Sequence, residues 1–582
     1  MCHTLLLNQA ARMRSHGTRY RYHEAHFSDK SELPLKPGSI TVITGPNNAG
    51  KSTSLRDIDK HFSSGRGRAG YTGRVVRQVE TELVGSASDF FEFFEALNYY
   101  DKEEDRYRFD HGYSKNGYKT STLRKAITNN NLPNPVEATF SKFLPASERL
   151  SGTGYNDSVN HAVNQIFSNE PKEIALSDIF RRSFGIDLIL DRTRKEGVFY
   201  IAERSDLPSH EERLTPEFRK WMEKQATLRS QGDGMRSFAR VLIEIFVRRL
   251  SILAIDEPEL FLHPPQIRQL AAALVRERPV HSQVFVATHS DEFVKGILDT
   301  QPDDINFIRL TRSKEGASVK YLRHDDVATL WSDPLLRTSN ALSSLFHQFT
   351  IVCEGETDAR FLRWALDDEM SDDLSIDYFI THCGGKQKIH GIVKAISAIG
   401  ANVFSVCDID VLNDKVSFQR LFEAHGGDYS KVAQDHKLIL TRVSERKSEI
   451  SPHYFWSEIE RLKAATGQSE NIKKDTTDQI ATLIRRSSPW GRIKEDGKRA
   501  FVDAESIRAF DRIRKAAASY GLFINPEGEL ESLCRTISRA NKANWLTEVL
   551  QLDYKKAADL VGARELVKEV SNYMRANADK VF

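Results

Sequence analysis

The segment Gly45-Pro46-Asn47-Asn48-Ala49-Gly50-Lys51-Ser52-Thr53 follows directly on the apolar run Ile40-Thr41-Val42-Ile43-Thr44. It is a complete G-x-x-x-x-G-K-S loop, whose glycines let backbone N–H groups close around phosphate oxygens at the start of a helix. That chemistry requires a strand end, a tight turn and a helix start in immediate succession, so the chain is expected to be α/β, built on a largely parallel sheet. Lys51 is expected to reach the β- and γ-phosphates of ATP and Ser52 to ligate Mg²⁺, with Gly45, Asn47, Asn48, Gly50 and Thr53 completing the cradle.

A second apolar run, Ser251-Ile252-Leu253-Ala254-Ile255, ends in Asp256-Glu257-Pro258-Glu259. An aspartate at a strand's carboxyl end can hold the Mg²⁺ of a bound nucleotide, and the adjacent Glu257 can polarise the attacking water. This is a Walker B arrangement. The run Val284-Phe285-Val286-Ala287-Thr288 reads as the neighbouring parallel strand and leads into His289-Ser290. Upstream, Ser230-Gln231-Gly232-Asp233-Gly234 precedes a helix-patterned stretch, Phe238 to Leu250.

Together these pieces resemble the ABC-type ATPases of the SMC and RecF kind. The resemblance implies that Ser230, Gly232 and Asp233 form a signature capping the γ-phosphate held by another subunit, and that His289 is a switch histidine. It also implies a homodimer or higher homo-oligomer through the ATPase half. The signature departs from the usual leucine-serine-glycine-glycine form at Arg229 and Gln231, and Gln78 is the candidate for the glutamine that commonly contacts Mg²⁺. No heptad run is long enough for an SMC coiled coil.

Further along, Thr350-Ile351-Val352-Cys353 runs into Glu354-Gly355-Glu356-Thr357-Asp358, and Asn402 to Cys407 runs into Asp408-Ile409-Asp410, with a Gly384-Gly385-Lys386 turn between them. Carboxylates leaving the ends of two strands can gather at one sheet edge and hold hard divalent cations. The pattern resembles a Toprim domain, with Glu354 as the motif glutamate and Asp408 and Asp410 as the aspartate pair. An ABC-type ATPase followed by a Toprim domain resembles the OLD (overcoming lysogenization defect) family nucleases, which include the nuclease subunit of the Gabija defence system and some retron effectors. That resemblance implies a further acidic segment, matched by Gly528-Glu529-Leu530-Glu531 with ligands Glu529 and Glu531, and a completing lysine, for which Lys542 is the candidate. Asp358 is expected to join the metal set, and the metal is expected to be Mg²⁺ or Mn²⁺.

The 582 residues have room for roughly three to four domains. The expected organisation is a first ATPase part over 1–85, a helical or irregular insertion over 86–228, a second ATPase part over 229–345, a Toprim core over 346–443, a helical insertion over 444–519, and a last Toprim segment with C-terminal helices over 520–582. Turn clusters at Asn129-Asn130-Asn131 and Ser151-Gly152-Thr153-Gly154 suggest the first insertion.

Hydrophobic residues make up 40% and charged residues 28% with a mean hydropathy of −0.47, which excludes a membrane or disordered class. Eighty-three basic against 81 acidic residues leave a formal charge of +2, so any nucleic-acid contact must come from local patches. One candidate is the run Arg485-Arg486, Trp490, Arg492 and Lys494, continued by Lys498 and Arg499. The five cysteines lack zinc spacing and fit a reducing compartment, and no signal-like segment opens the chain, so a cytoplasmic location is expected.

The leading expectation is an ATP-regulated, metal-dependent DNA endonuclease or nickase in antiphage defence, with DNA as substrate and a defence-system protein or retron-type nucleic acid as a further partner. The alternative is a RecF-like repair ATPase whose Toprim part binds DNA without cutting it. A topoisomerase would need a catalytic tyrosine, and Tyr454 and Tyr520 lack the context for one.

Overall fold

The computed structural model describes residues 19–63, 72–84, 86, 88–91, 100–111, 114–128, 141–144, 166, 170–192, 198–206, 215–247, 251–300, 304–313, 316–322, 327, 331–332, 334, 337, 340–373, 375–445, 451–467, 471–538 and 542–578. The turn clusters at 129–131 and 151–154 lie outside them. The chain divides into two compact units, Met1–Ala328 and Thr329–Phe582. The second unit begins before residue 346 because the short helix Asn340–Phe346 packs on the strand Tyr378–His382 and the helix Ile389–Ala398.

In the first unit a six-stranded sheet runs in the order Gly316–Leu322, Ile305–Ser313, Ile40–Thr44, Gln283–Ala287, Ile252–Asp256, Ser141–Leu144. Every pairing is parallel except the outermost hairpin of Ile305–Ser313 with Gly316–Leu322. The three central strands are buried at every position, as expected of parallel strands covered on both faces, whereas Gly316–Leu322 is buried only at Leu322. The mixed α/β fold is the one read from the apolar runs.

The described part of residues 86–228 holds the helices Thr120–Thr128, Glu170–Phe184 and Pro216–Glu223, together with strands that the sequence did not announce. The strands include the antiparallel hairpin Arg106–His111 with Ser114–Lys119, the pair Asp187–Asp191 with Val198–Ala202, and the edge strand Ser141–Leu144 of the main sheet. That edge strand is four residues long and acquires its conformation by pairing with Ile252–Asp256. A third antiparallel sheet, Glu32–Pro34, Arg19–Phe27 and Val76–Val84, shares a core with the helix Lys51–Ser63 through Tyr22, Leu55, Ile58 and Val76.

The second unit holds a four-stranded, all-parallel sheet in the order Tyr378–His382, Phe349–Cys353, Asn402–Cys407, Leu522–Ile524. The chain leaves the central strand Phe349–Cys353 to one side and then crosses to the other, which makes the carboxyl ends of Phe349–Cys353 and Asn402–Cys407 a topological switch point. Helix Glu356–Glu369 buries Phe361, Leu362 and Leu366 against Leu566, Val567 and Val570 of helix Val561–Ala578. Among the described residues Cys353, Cys383, Cys407 and Cys534 are buried and free of disulfides. No described helix is long and apolar enough to cross a membrane.

Candidate functional site

The phosphate loop turns from strand to helix through Gly45, at φ +140°, where a Cβ would lie 2.2 Å from the Leu310 carbonyl oxygen. Only glycine fits there. Lys51 is buried and donates to the carbonyls of Gly45 and Pro46 at 2.6 and 2.8 Å, so its ammonium lies folded over the loop it serves. Burial pushes Lys51 down to about 8 against the pull of Glu257, Glu259 and Asp256. Asn47 and Asn48 are exposed on the loop and Thr53 is half-buried in the first turn of the helix.

Ser52 and Asp256 are brought together: the Ser52 hydroxyl, in the first turn of the helix Lys51–Ser63, donates at 3.0 Å to Oδ1 of Asp256 at its strand's end. A hydroxyl and a carboxylate in contact beside a phosphate cradle are the donor set that Mg²⁺ takes with a nucleotide. Glu257 adopts a left-handed backbone, φ +48°, and its N–H donates to the Ala287 carbonyl at 2.8 Å. This strained turn sets the Glu257 carboxylate 3.6 Å from His289 Nε2. Burial and the nearby Lys51 push His289 down to about 4, so the ring is neutral at pH 7 and faces Glu257 without an ion pair.

Glu259 was given no role in the sequence. Its Oε1 accepts from Thr288 Oγ1 at 2.9 Å and from the His289 N–H at 2.6 Å, tying the Walker B turn to the switch turn, and burial pushes it up to about 7. Its signal was already in the quoted Asp-Glu-Pro-Glu run. The expected signature lies elsewhere: Ser230 is exposed and its hydroxyl donates to the Thr227 carbonyl at 2.7 Å, Gly232 has open space around it, and Asp233 pairs with Arg236. Gln78 is exposed on Val76–Val84, opposite His26 in the register.

In the second unit Cys353 pairs opposite Val406, so Glu354 and Asp408 leave adjacent strands side by side. The Asp408 N–H donates to Glu354 Oε1 at 3.3 Å, and one carboxylate oxygen from each of Glu354, Asp408 and Asp410 lies within 4.8 Å of the others. The Gly384-Gly385-Lys386 turn folds over them: the Gly385 N–H donates to the Glu354 carbonyl at 2.9 Å, and Lys386 Nζ reaches Asp410 Oδ2 at 2.7 Å. Lys494 reaches the same oxygen at 2.8 Å and Glu529 Oε1 at 3.2 Å. Lys542 pairs with Glu531 at 3.1 Å.

The electrostatics divide the acids. Burial and the neighbouring Asp410 and Asp358 push Glu354 up to about 7, and burial with Glu354 pushes Asp408 well above the carboxylate range. Asp410 lies below its ordinary value because the hydrogen bonds from Lys386 and Lys494 outweigh its burial. Lys542 is held above its usual range by Glu531 and Asp358 in spite of burial.

Asp358 spends Oδ2 on the Gly355 N–H at 2.8 Å, while its buried Oδ1 has no hydrogen-bond partner among the described residues. Glu354, Asp358 and Asp408 border a cavity of about 20 Å³, room for one ion or water. The rest of that wall is largely apolar, including Phe361, Leu362, Leu566 and Val567, so the donor set that fits a hard divalent cation is the oxygen cluster of Glu354, Asp408 and Asp410, with the unsatisfied Asp358 oxygen nearby.

Several basic residues expected to grip phosphates are committed within the protein instead. Lys494 serves Asp410 and Glu529, Lys498 pairs with Asp511 at 2.6 Å, Arg499 with Glu527 at 3.2 Å, and Arg492 with Asp496 at 3.5 Å. The side chains of Arg485 and Arg486 lie outside the described residues. The contacts of Lys494 with the acids were also missed in the sequence, because its partners lie far from it along the chain.

Residues 40–295 match the family described as AAA domain, AbiEii toxin, Type IV TA system, and residues 345–410 match the Overcoming lysogenization defect protein-like, TOPRIM domain. Over 171 residues the chain is 25% identical to the Old nuclease of Escherichia phage P2, a match that spans 28% of this chain and 28% of that curated relative. Solved structures similar to it include an SMC head bound to the C-winged helix domain of ScpA (14% identity, 53% of this chain and 98% of that one, TM-score 0.31). Another is the SMC head domain from Thermotoga maritima (13% identity, 53% and 98%, TM-score 0.25). An ATPase domain and an OLD-like Toprim domain are thus matched in succession, and with the Old nuclease as a relative they support an ATPase–Toprim fusion similar to those of the OLD family.

Proposed function

We propose that this protein is an ATP-binding, nucleotide-regulated and metal-dependent DNA endonuclease or nickase acting in antiphage defence. The observation that carries the nuclease reading is the convergence of Glu354, Asp408 and Asp410 at a switch point of a parallel sheet, ringed by Lys386, Lys494 and Lys542. Glu354, Asp408 and Asp410 would hold Mg²⁺ or Mn²⁺, which would supply charge neutralisation at a phosphodiester and lower the pKa of water. Lys386 and Lys494 keep Asp410 ionised and oriented. Lys542 stays protonated at neutral pH and presents a charge to a phosphate oxygen.

In the ATPase half, Lys51 faces the phosphates, Ser52 and Asp256 hold the nucleotide's Mg²⁺, Glu257 orients the attacking water and His289 reports the γ-phosphate. An exposed Ser230 is consistent with a signature offered to a second copy, so the working unit is a homodimer or higher oligomer closed around nucleotide.

The test is cleavage of supercoiled and linear DNA by the purified protein in Mg²⁺ or Mn²⁺. The double variant Asp408→Ala, Asp410→Ala should fall to background while binding ATP as before. Persistent cleavage in that variant would remove the nuclease assignment from this site.

A further inference from the structure

A cavity of about 300 Å³ opens in the second unit at the amino ends of Phe349–Cys353 and Asn402–Cys407. Glu354 and Asp408 leave the opposite ends of these strands, roughly 17 Å away by the rise of an extended chain. The cavity therefore lies outside the acidic site. It is bordered by Asn402, Phe404, His425, Tyr520, Tyr573 and Asn577.

The chemistry of this wall is narrow. Its described lining contains no Lys, Arg, Asp or Glu, and burial pushes His425 down to about 4, so the ring is neutral at pH 7. A phosphate or other ion would find no counter-charge there. The aromatic rings are fixed by edge-on packing: Tyr573 against Phe404 at 5.7 Å and Phe523 at 5.4 Å, and Tyr520 against Phe422 at 5.7 Å. His425 Nε2 lies 2.9 Å from the Ser405 hydroxyl, which sets the plane of the imidazole. Asn402 commits one amide hydrogen to the Gln348 carbonyl at 3.2 Å, and a primary amide has a second hydrogen and a carbonyl oxygen to offer. Rigid aromatic faces with an amide edge and no charge are the means by which proteins read a nucleobase. The volume is at the lower end of the range for small-molecule sites.

We propose that this cavity is a second ligand site that takes an uncharged purine or pyrimidine base, stacked on the tyrosine rings and read at its edge by Asn402. The helix Val561–Ala578 carries Tyr573 and Asn577 at this cavity and Leu566 and Val567 beside the small cavity at Glu354, Asp358 and Asp408. An occupant therefore touches a helix and two strands that also support the acids.

The test uses the full-length protein with its phosphate-loop site saturated by a non-hydrolysable ATP analogue. It is titrated with 2-aminopurine riboside, whose fluorescence is quenched by stacking, and separately with a single-stranded oligonucleotide carrying one 2-aminopurine. Saturable quenching is expected, weakened about tenfold by Asn402→Leu, which removes the edge partner. It should be lost in Ala424→Phe, which fills the cavity from the end of the helix Lys415–Ala424. Thermal melting and ATP binding are measured in parallel, and if Ala424→Phe does not fold, the Asn402→Leu titration decides alone. Quenching by the riboside identifies a small-molecule site, and quenching by the oligonucleotide alone identifies a base drawn from DNA; either supports the proposal. Absence of saturable quenching in both arms, or quenching unchanged in the folded variants, overturns it.

Discussion

Two ammonium groups, those of Lys386 and Lys494, meet one oxygen of Asp410 at 2.7 and 2.8 Å, while Glu354 has no such partner among the described residues and is pushed up to about 7. The acids were legible in the sequence because each follows an apolar run by one or three residues. The lysine that restrains Asp410 was not, since nothing local to Lys494 announces a partner 84 residues earlier. In the ATPase half, local sequence alone singles out Lys51 in the phosphate loop and Glu257 after the strand Ile252–Asp256, and the proposed function assigns them different tasks. Lys51→Ala should lose ATP binding, whereas Glu257→Gln should bind ATP normally and hydrolyse it about a hundredfold or more slowly, as filter binding and phosphate release will show. Equal loss of binding in both would contradict the assignment. A pH prediction follows from His425, whose folded pKa of about 4 lies below its unfolded value of about 6.5. A histidine kept neutral by folding contributes stability in full above pH 6.5 and loses it as pH falls toward 4. Urea unfolding should show His425→Gln to have a flatter stability profile than wild type over this window, by roughly 2 kcal/mol. Parallel profiles would show that the ring titrates normally.

The helix Pro489–Asp496 is fastened to the acidic segment rather than laid loosely on it. The Lys494 carbonyl accepts from the Glu529 N–H at 2.7 Å and from the Ser532 hydroxyl at 3.3 Å, and the Glu495 carbonyl accepts from the same hydroxyl at 3.0 Å. The approach depends on Gly528, at φ +122°, where a Cβ would lie 2.1 Å from the Lys494 carbonyl oxygen. Gly528→Ala should cost about 2 kcal/mol or more and weaken Mn²⁺ binding, read by calorimetry, because Glu529 and Lys494 separate together. An unaltered melting temperature with unaltered Mn²⁺ affinity would mean that the segment relaxes without consequence. Elements of this kind were only partly readable beforehand. Long apolar runs such as Ile252–Asp256, buried throughout, and Asn402–Cys407, buried at Phe404, Ser405 and Cys407, declare parallel strands through composition alone. By contrast Ser141–Leu144 becomes a strand by joining the edge of the ATPase sheet, and the helix Lys542–Val549 is anchored by Trp545, fully buried with its indole N–H on the Cys534 carbonyl at 3.1 Å. Both depend on partners distant in sequence, which no local pattern encodes.

At the scale of the whole molecule, one chain carries a nucleotide site in one unit and an acidic site in the other, and fusion alone does not couple them. A nucleotide can shift an acidic site only if it binds two states of the protein with different affinity. The ATPase half has the parts for such a difference. Glu259 links the Walker B turn to the His289 backbone, the neutral His289 ring faces Glu257, and Lys51 rests on its own loop carbonyls, contacts that a bound triphosphate would compete with. Cleavage by the purified protein, measured with one DNA and one metal concentration, should therefore differ severalfold between ATP, ADP and no nucleotide, with inhibition by ATP the expected sign. If His289 is the γ-phosphate sensor proposed above, His289→Ala should shrink that difference while leaving nucleotide-free cleavage unchanged, since the residue takes no part in the acidic cluster. Identical rates in the three nucleotide conditions would show that the two units act independently, even if each performs its own chemistry. A His289→Ala enzyme with the wild-type nucleotide response would place the sensor elsewhere, with Glu257 the next residue to replace.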